Sequence, residues 1–118
     1  MNVLRNKQSQ AIVAGHVEIA DNFWTRFRGL MLRSRLQPGE GLAFRPAGTI
    51  HMMFMLFAID AVFCDGDGKV TKVARGVRPW IGGAIAPRRT KLLIELPSGG
   101  ADAINVGDEL ELVPAPAA

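Results

Sequence analysis

The chain has 118 residues, no tyrosine, one cysteine, two histidines and, beyond Lys91, no basic residue. Each scarcity removes a class of explanation. A single thiol, Cys64, cannot form an internal disulfide, so the fold is not held together like a small secreted scaffold. Its apolar neighbours predict a buried small hydrophobe, since no flanking residue would activate it as a nucleophile. His16, His51 and Cys64 are the only nitrogen and sulfur ligands the sequence offers. None falls at a C-x₂-C or H-x₃-H spacing, so neither a metal site nor a cofactor is expected. The nearly uncharged stretch 49–59 is far shorter than the ~20 residues that cross a bilayer, and no membrane partner is expected. The first ten residues, MNVLRNKQSQ, contain no apolar segment and no small-residue cleavage pattern, which predicts no secretory leader and a cytoplasmic address.

What is present is the material of one domain. With 48% hydrophobic and 21% charged residues, residues 1–113 are expected to enclose a single core, leaving 114–118 as a loose tail rich in proline and alanine. The net charge of +3 conceals an asymmetry: all 14 basic residues lie at or before Lys91, whereas 92–118 carry Glu95, Asp102, Asp108, Glu109 and Glu111. The chain is therefore polarised along its length, unless its ends fold back onto the basic middle. A balance of +3, no tyrosine and no nucleic-acid-binding signature argue against nucleic acid as a partner.

Hydrophobic periodicity divides the chain into elements. AIVAGHVEI, residues 11–19, alternates Val13, Val17 and Ile19 with His16 and Glu18, as a half-buried strand does. From Asp21 the period lengthens, and Phe23, Trp24, Phe27, Leu30 and Met31 form one apolar stripe of a helix capped by Asp21 and stopped at LQPGEG. Arg26, Arg28, Arg33 and Arg35 frame that stripe. GLAF and TIHMMFM read as short strands, and DAVFCD with KVTKVARG reads as a hairpin about Asp65-Gly66-Asp67-Gly68. KLLIELP is a continuous apolar run suited to a central strand, SGGADAINV suits one or two helical turns, and GDELELV suits a closing strand. The expected class is α+β, mostly β: a small curled or partly closed, antiparallel-rich, barrel-like sheet with one amphipathic helix packed on it.

Several of these strings also occur together elsewhere. RGLM at 28–31, GLAF at 41–44, IHMMFMLFAIDAVFCDGDGKV at 50–70, RPW at 78–80 and ELPSGGAD…VGDEL near the end resemble the domain-of-unknown-function 192 (DUF192) family, in a proteobacterial-looking branch. The resemblance extends over about residues 17–113, with five blocks in the family's order. It implies a compact β-rich domain whose biochemical function is not established. Where the family often has Met-Arg-Phe-Pro, this chain has Met55, Leu56, Phe57 and Ala58. No role of that arginine transfers here.

Two groups of residues are candidates for chemistry. His51 and Asp60 sit in an apolar run where polar groups are costly to bury. A bend at Phe57 and Ala58 would bring them together as an oriented base for proton transfer, the basis of an acid–base, hydrolase-like reading. The other reading makes both structural, with Asp60 accepting backbone amides at a turn. Separately, Arg78, Arg88 and Arg89, with Trp80 among them, lie in the segment richest in glycine and proline. Their guanidinium forks suit carboxylate or phosphate, and an indole stacks on rings or covers a guanidinium. This favours a non-enzymatic module that binds an anionic small molecule or an acidic peptide.

Overall fold

The computed structural model describes residues 2–20, 37–44, 50–51, 58–78 and 83–115, with only the backbone of residues 20, 50 and 51. Along them run β1 (Asn2–Asn6), β2 (Ile12–Ala20), β3 (Glu40–Phe44), β4 (Ile50–His51), β5 (Ile59–Cys64), β6 (Val70–Val77), β7 (Gly83–Ala84), β8 (Leu92–Pro97) and β9 (Leu110–Pro114). Seven of these form one sheet in the order β6-β5-β8-β3-β2-β1-β9, and β4 pairs with β7 in a second.

The continuous apolar run KLLIELP becomes β8, bonded to β5 on one side and β3 on the other. Strands buried on both faces lose the polar alternation of a surface strand, and β5 is buried at every position. Alternation still sorts the side chains between two apolar layers. Val62, Cys64, Leu92, Ile94 and Leu96 join Leu4, Val17, Val70 and Leu110 on one face. Ile59, Ala61, Phe63 and Leu93 join Leu42, Phe44 and Val77 on the other, with Ala84 and Ala86 of the β7 segment packed against them.

The expected class needs correction on two counts. Among the described residues the chain is all-β, and its main sheet is open and mixed rather than barrel-like. The helix expected from Phe23, Trp24, Phe27, Leu30 and Met31 falls outside the described residues. SGGADAINV, expected to coil into helical turns, forms a succession of tight turns, with Gly100, Asp102 and Ile104 N–H groups donating to the carbonyls of Pro97, Gly99 and Ala101. Glycine's conformational freedom favours this outcome: Gly99 sits at φ +91°, where a helix cannot continue. Mixing enters at β2 and β3, which are parallel. A parallel pair cannot be joined by a hairpin and requires a crossover, here residues 21–39. The outer strands β6 and β9 meet at one end, through a bridge at Lys69 and Glu109 and backbone bonds from the Val70 N–H to Asp108 O, the Gly107 N–H to Val70 O and the Leu110 N–H to Gly68 O.

Local differences have equally concrete causes. The alternation read in β2 fails because the β1–β2 register slips twice, so that Ala14 and Val17 are both buried; Ile19, beyond the slips, is exposed. An extra residue at a bulge reverses the facing of the residues beyond it. β1 has only Val3 and Leu4 as an apolar signal; it is a strand because it lies between β2 and β9, in unbroken register with β9 from Asn2↔Pro114 to Asn6↔Leu110. In that ladder Arg5 faces Glu111 and donates from Nε at 2.8 Å. The acidic end thus folds back on the basic beginning.

Candidate functional site

The Asp60 side chain is held by three backbone hydrogen bonds. Strand alternation turns it to the face of Val62 and Cys64, and it is only 1% exposed. Its Oδ1 accepts the Gly76 N–H at 2.8 Å, and its Oδ2 accepts those of Gly99 and Ala101, both at 3.0 Å. Gly76 is the bulged residue of β6, at φ +61°, where the β5–β6 register shifts. The carboxylate therefore fastens a strand bulge to the turns after β8. Arg75 grips the same turns from their carbonyl side, its Nη2 donating to Ala101 and Ile104. A buried carboxylate that accepts three amide N–H groups recovers much of its desolvation cost.

His51 is placed elsewhere by the topology. Its strand, β4, pairs with β7, setting His51 opposite Gly83, whereas Asp60 lies opposite Leu96 of β8. The His51 side chain lies outside the described residues. Backbone amides from β6 and the turns after β8 take three of the about four acceptor positions of Asp60.

Glu95 is a second buried acid, 3% exposed. It lies between Leu42 and Ala61 in register, and alternation places it on the Leu93 face, opposite to Asp60. Asp108 accepts the Asn105 N–H within its own loop. The Asp-Gly-Asp-Gly hairpin is held by Asp65, whose Oδ1 accepts the N–H groups of Asp67 and Lys69 at 2.9 and 3.0 Å. Cys64 is fully buried, and burial, reinforced by the charge of Asp65, pushes its thiol up to about 12.

The arginine group occupies the long connection between β6 and β8. Arg78 comes directly after β6, while Arg88 and Arg89 form the middle of a turn closed by the Thr90 N–H and hydroxyl, both donating to the Pro87 carbonyl. All three arginines are exposed, and none takes part in a hydrogen bond or ion pair among the described residues. Trp80 lies outside the described residues. The connection is also pinned to the sheet: the Lys72 ammonium donates to the Ile85 carbonyl at 2.9 Å, sits 5.7 Å from the centre of the Phe63 ring, and the Lys91 N–H donates to Cys64 O. From residue 68 to residue 94 the sequence has seven bases and no acid.

Reading the sequence locally missed the partners of Asp60. Gly76, Gly99 and Ala101 are 16 to 41 positions away from it. A usable signal was present in the glycines, since Gly76 interrupts a strand pattern and so suggests a bulge.

Comparison with known proteins gives a consistent result. The DUF192 family model, described as "Uncharacterized ACR", matches residues 3–112. A UPF0127 protein of Pyrococcus abyssi is 38% identical over 122 residues, covering 96% of this chain and 99% of the relative. A UPF0127 protein of Thermococcus sibiricus is 38% identical over 123 residues, covering 92% of this chain and 73% of the relative. The crystal structure of a protein of unknown function from Novosphingobium aromaticivorans matches with a TM-score of 0.80 at 25% identity, over 94% of this chain and 84% of that one. The two UPF0127 relatives are archaeal and do not show the bacterial affinity expected from the motifs.

Proposed function

We propose that this chain, which belongs to the DUF192 family, is a binding module whose 78–91 connection recognises an anionic small molecule or an acidic peptide. The observation that carries this reading is that Arg78, Arg88 and Arg89 are all exposed with no ion pair among the described residues, on a segment tied to the sheet at Ile85 and Lys91. Free guanidinium groups on an anchored backbone lose less entropy on meeting a carboxylate or phosphate than groups on a loose one. Trp80, two residues from Arg78, is the natural reporter and belongs to the proposed site. A cytoplasmic location is part of the same reading, consistent with a lone buried thiol. The acid–base reading of His51 and Asp60 has less behind it, because the Asp60 oxygens already accept three backbone N–H groups.

Titration with inorganic phosphate and with a short acidic peptide at low salt tests the proposal. Tryptophan emission should change in the parent protein, weaken as salt is raised, and stay flat in Arg88→Ala/Arg89→Ala. Trp80→Phe separates the signal from that of Trp24. An unresponsive parent protein, or a response retained in the double variant, refutes the assignment.

A further inference from the structure

Within the basic connection one side chain does not suit a purely electrostatic surface. Ile85 is 73% exposed, more than any other large hydrophobic residue among those described. Alternation explains its direction: Ala84 and Ala86 on either side pack against the Phe63 and Leu93 layer, which turns Ile85 outward. Nor is Ile85 at a frayed tip. Its carbonyl accepts the Lys72 ammonium, and the Pro87–Thr90 turn comes at once after it. Immediately beyond lie Arg88, Arg89 and Lys91, all exposed. An isolated exposed isoleucine is unremarkable on a protein surface. An anchored one beside three exposed bases has a more specific meaning, with Lys91 also lying against the Asp65-Gly66-Asp67 turn.

We propose that this segment is a membrane-surface contact, with Ile85 entering the acyl boundary and Arg88, Arg89 and Lys91 lying among anionic headgroups. The inference rests on reading the connection as an anion-recognition surface and names its partner as an anionic lipid bilayer. Charge complementarity selects anionic over neutral lipid. Ile85 selects a bilayer over free phosphate, because only a bilayer presents an apolar layer directly beneath the anions. The expectation of no membrane partner rests only on the lack of a spanning apolar run; a surface contact needs none, and no helix among the described residues is long and apolar enough to cross a membrane. With one apolar side chain and a small basic cluster, attachment should be weak and reversible.

Co-sedimentation of the full chain with phosphatidylcholine vesicles, with and without phosphatidylserine, provides the test, alongside titrations with inorganic phosphate and an acidic peptide. The protein should sediment with the phosphatidylserine vesicles alone, and added salt should release it. Each base near an anionic surface contributes about a fivefold factor, so Arg88→Ala/Arg89→Ala should weaken partitioning about 30-fold. Ile85→Ser should weaken it about tenfold while leaving the phosphate titration unchanged. Both variants alter exposed positions and should keep the parent's thermal transition. Vesicle binding that ignores Ile85→Ser overturns the inference. Phosphate binding without vesicle binding also overturns it and leaves the anion-recognition reading standing; failure of phosphate, peptide and vesicles together removes both. Ile85-dependent binding of the acidic peptide without vesicle binding would make the partner a protein instead.

Discussion

Replacing Asp60 with alanine would remove the acceptor for three backbone donors at once, and the structure allows the cost to be apportioned. Gly76 and Gly99 are exposed, so water can reach their N–H groups once the carboxylate is gone. Each then loses only the net value of an ordinary hydrogen bond, about 1 kcal/mol after rehydration. Ala101 is fully buried, and its orphaned N–H carries an unmet desolvation cost of about 2 kcal/mol. The sum, about 4 kcal/mol, is a large part of the stability of a domain this size. With an m-value of about 2 kcal/mol/M it should lower the urea midpoint by about 2 M. Asp60→Asn refines the test. Its one remaining oxygen can face Gly76 or the Gly99 and Ala101 pair, while its new donor opposes whichever is left, so the loss should fall near half of that of Asp60→Ala. Hydrogen exchange should show the Ala101 amide losing protection first. An alanine variant weakened by less than about 1 kcal/mol, or unchanged protection at Ala101, would refute the claim that this carboxylate joins the β6 bulge to the turns after β8.

Backbone crowding and burial give two further expected outcomes. At Gly68, φ +82°, an added Cβ would lie 2.3 Å from the Leu110 carbonyl oxygen, whereas at Gly39, φ +84°, it would meet nothing within 4 Å. Gly39→Ala should therefore cost about 1 kcal/mol, the left-handed backbone penalty alone, and Gly68→Ala about 3 kcal/mol or more; equal thermal shifts would refute the close approach of the hairpin to β9. Cys64, raised from 9.0 to about 12 by burial, should react with a thiol reagent at pH 8 only as fast as the protein opens, and rapid stoichiometric labelling of the native chain would contradict its position. Because the folded thiol holds its proton more tightly than the unfolded one, its stabilising contribution is complete below pH 9 and is lost as pH rises towards 12.

The strands that could be read from residues alone were those whose own composition decides them. KLLIELP is apolar at nearly every position because a strand buried on both faces has no solvent side, and DAVFCDGDGKVTKVARG carries both strands and the turn of its hairpin within one short stretch. The family resemblance, too, rests on residues, and the matched 3–112 agree with it. Strand order was not legible in the same way. The parallel β2–β3 pair, the position of β1 between β2 and β9, and the open sheet depend on pairings between distant segments, which no local period encodes. The same division runs through the sites. Exposed arginines in a glycine- and proline-rich connection can be recognised from sequence because solvent exposure asks nothing of distant partners. That Asp60 would be buried among the amides of Gly76, Gly99 and Ala101, with His51 carried off to pair opposite Gly83, could only be settled by the tertiary fold. A buried charge survives only where remote chain segments bring it donors, and a sequence names those segments without saying which of them meet.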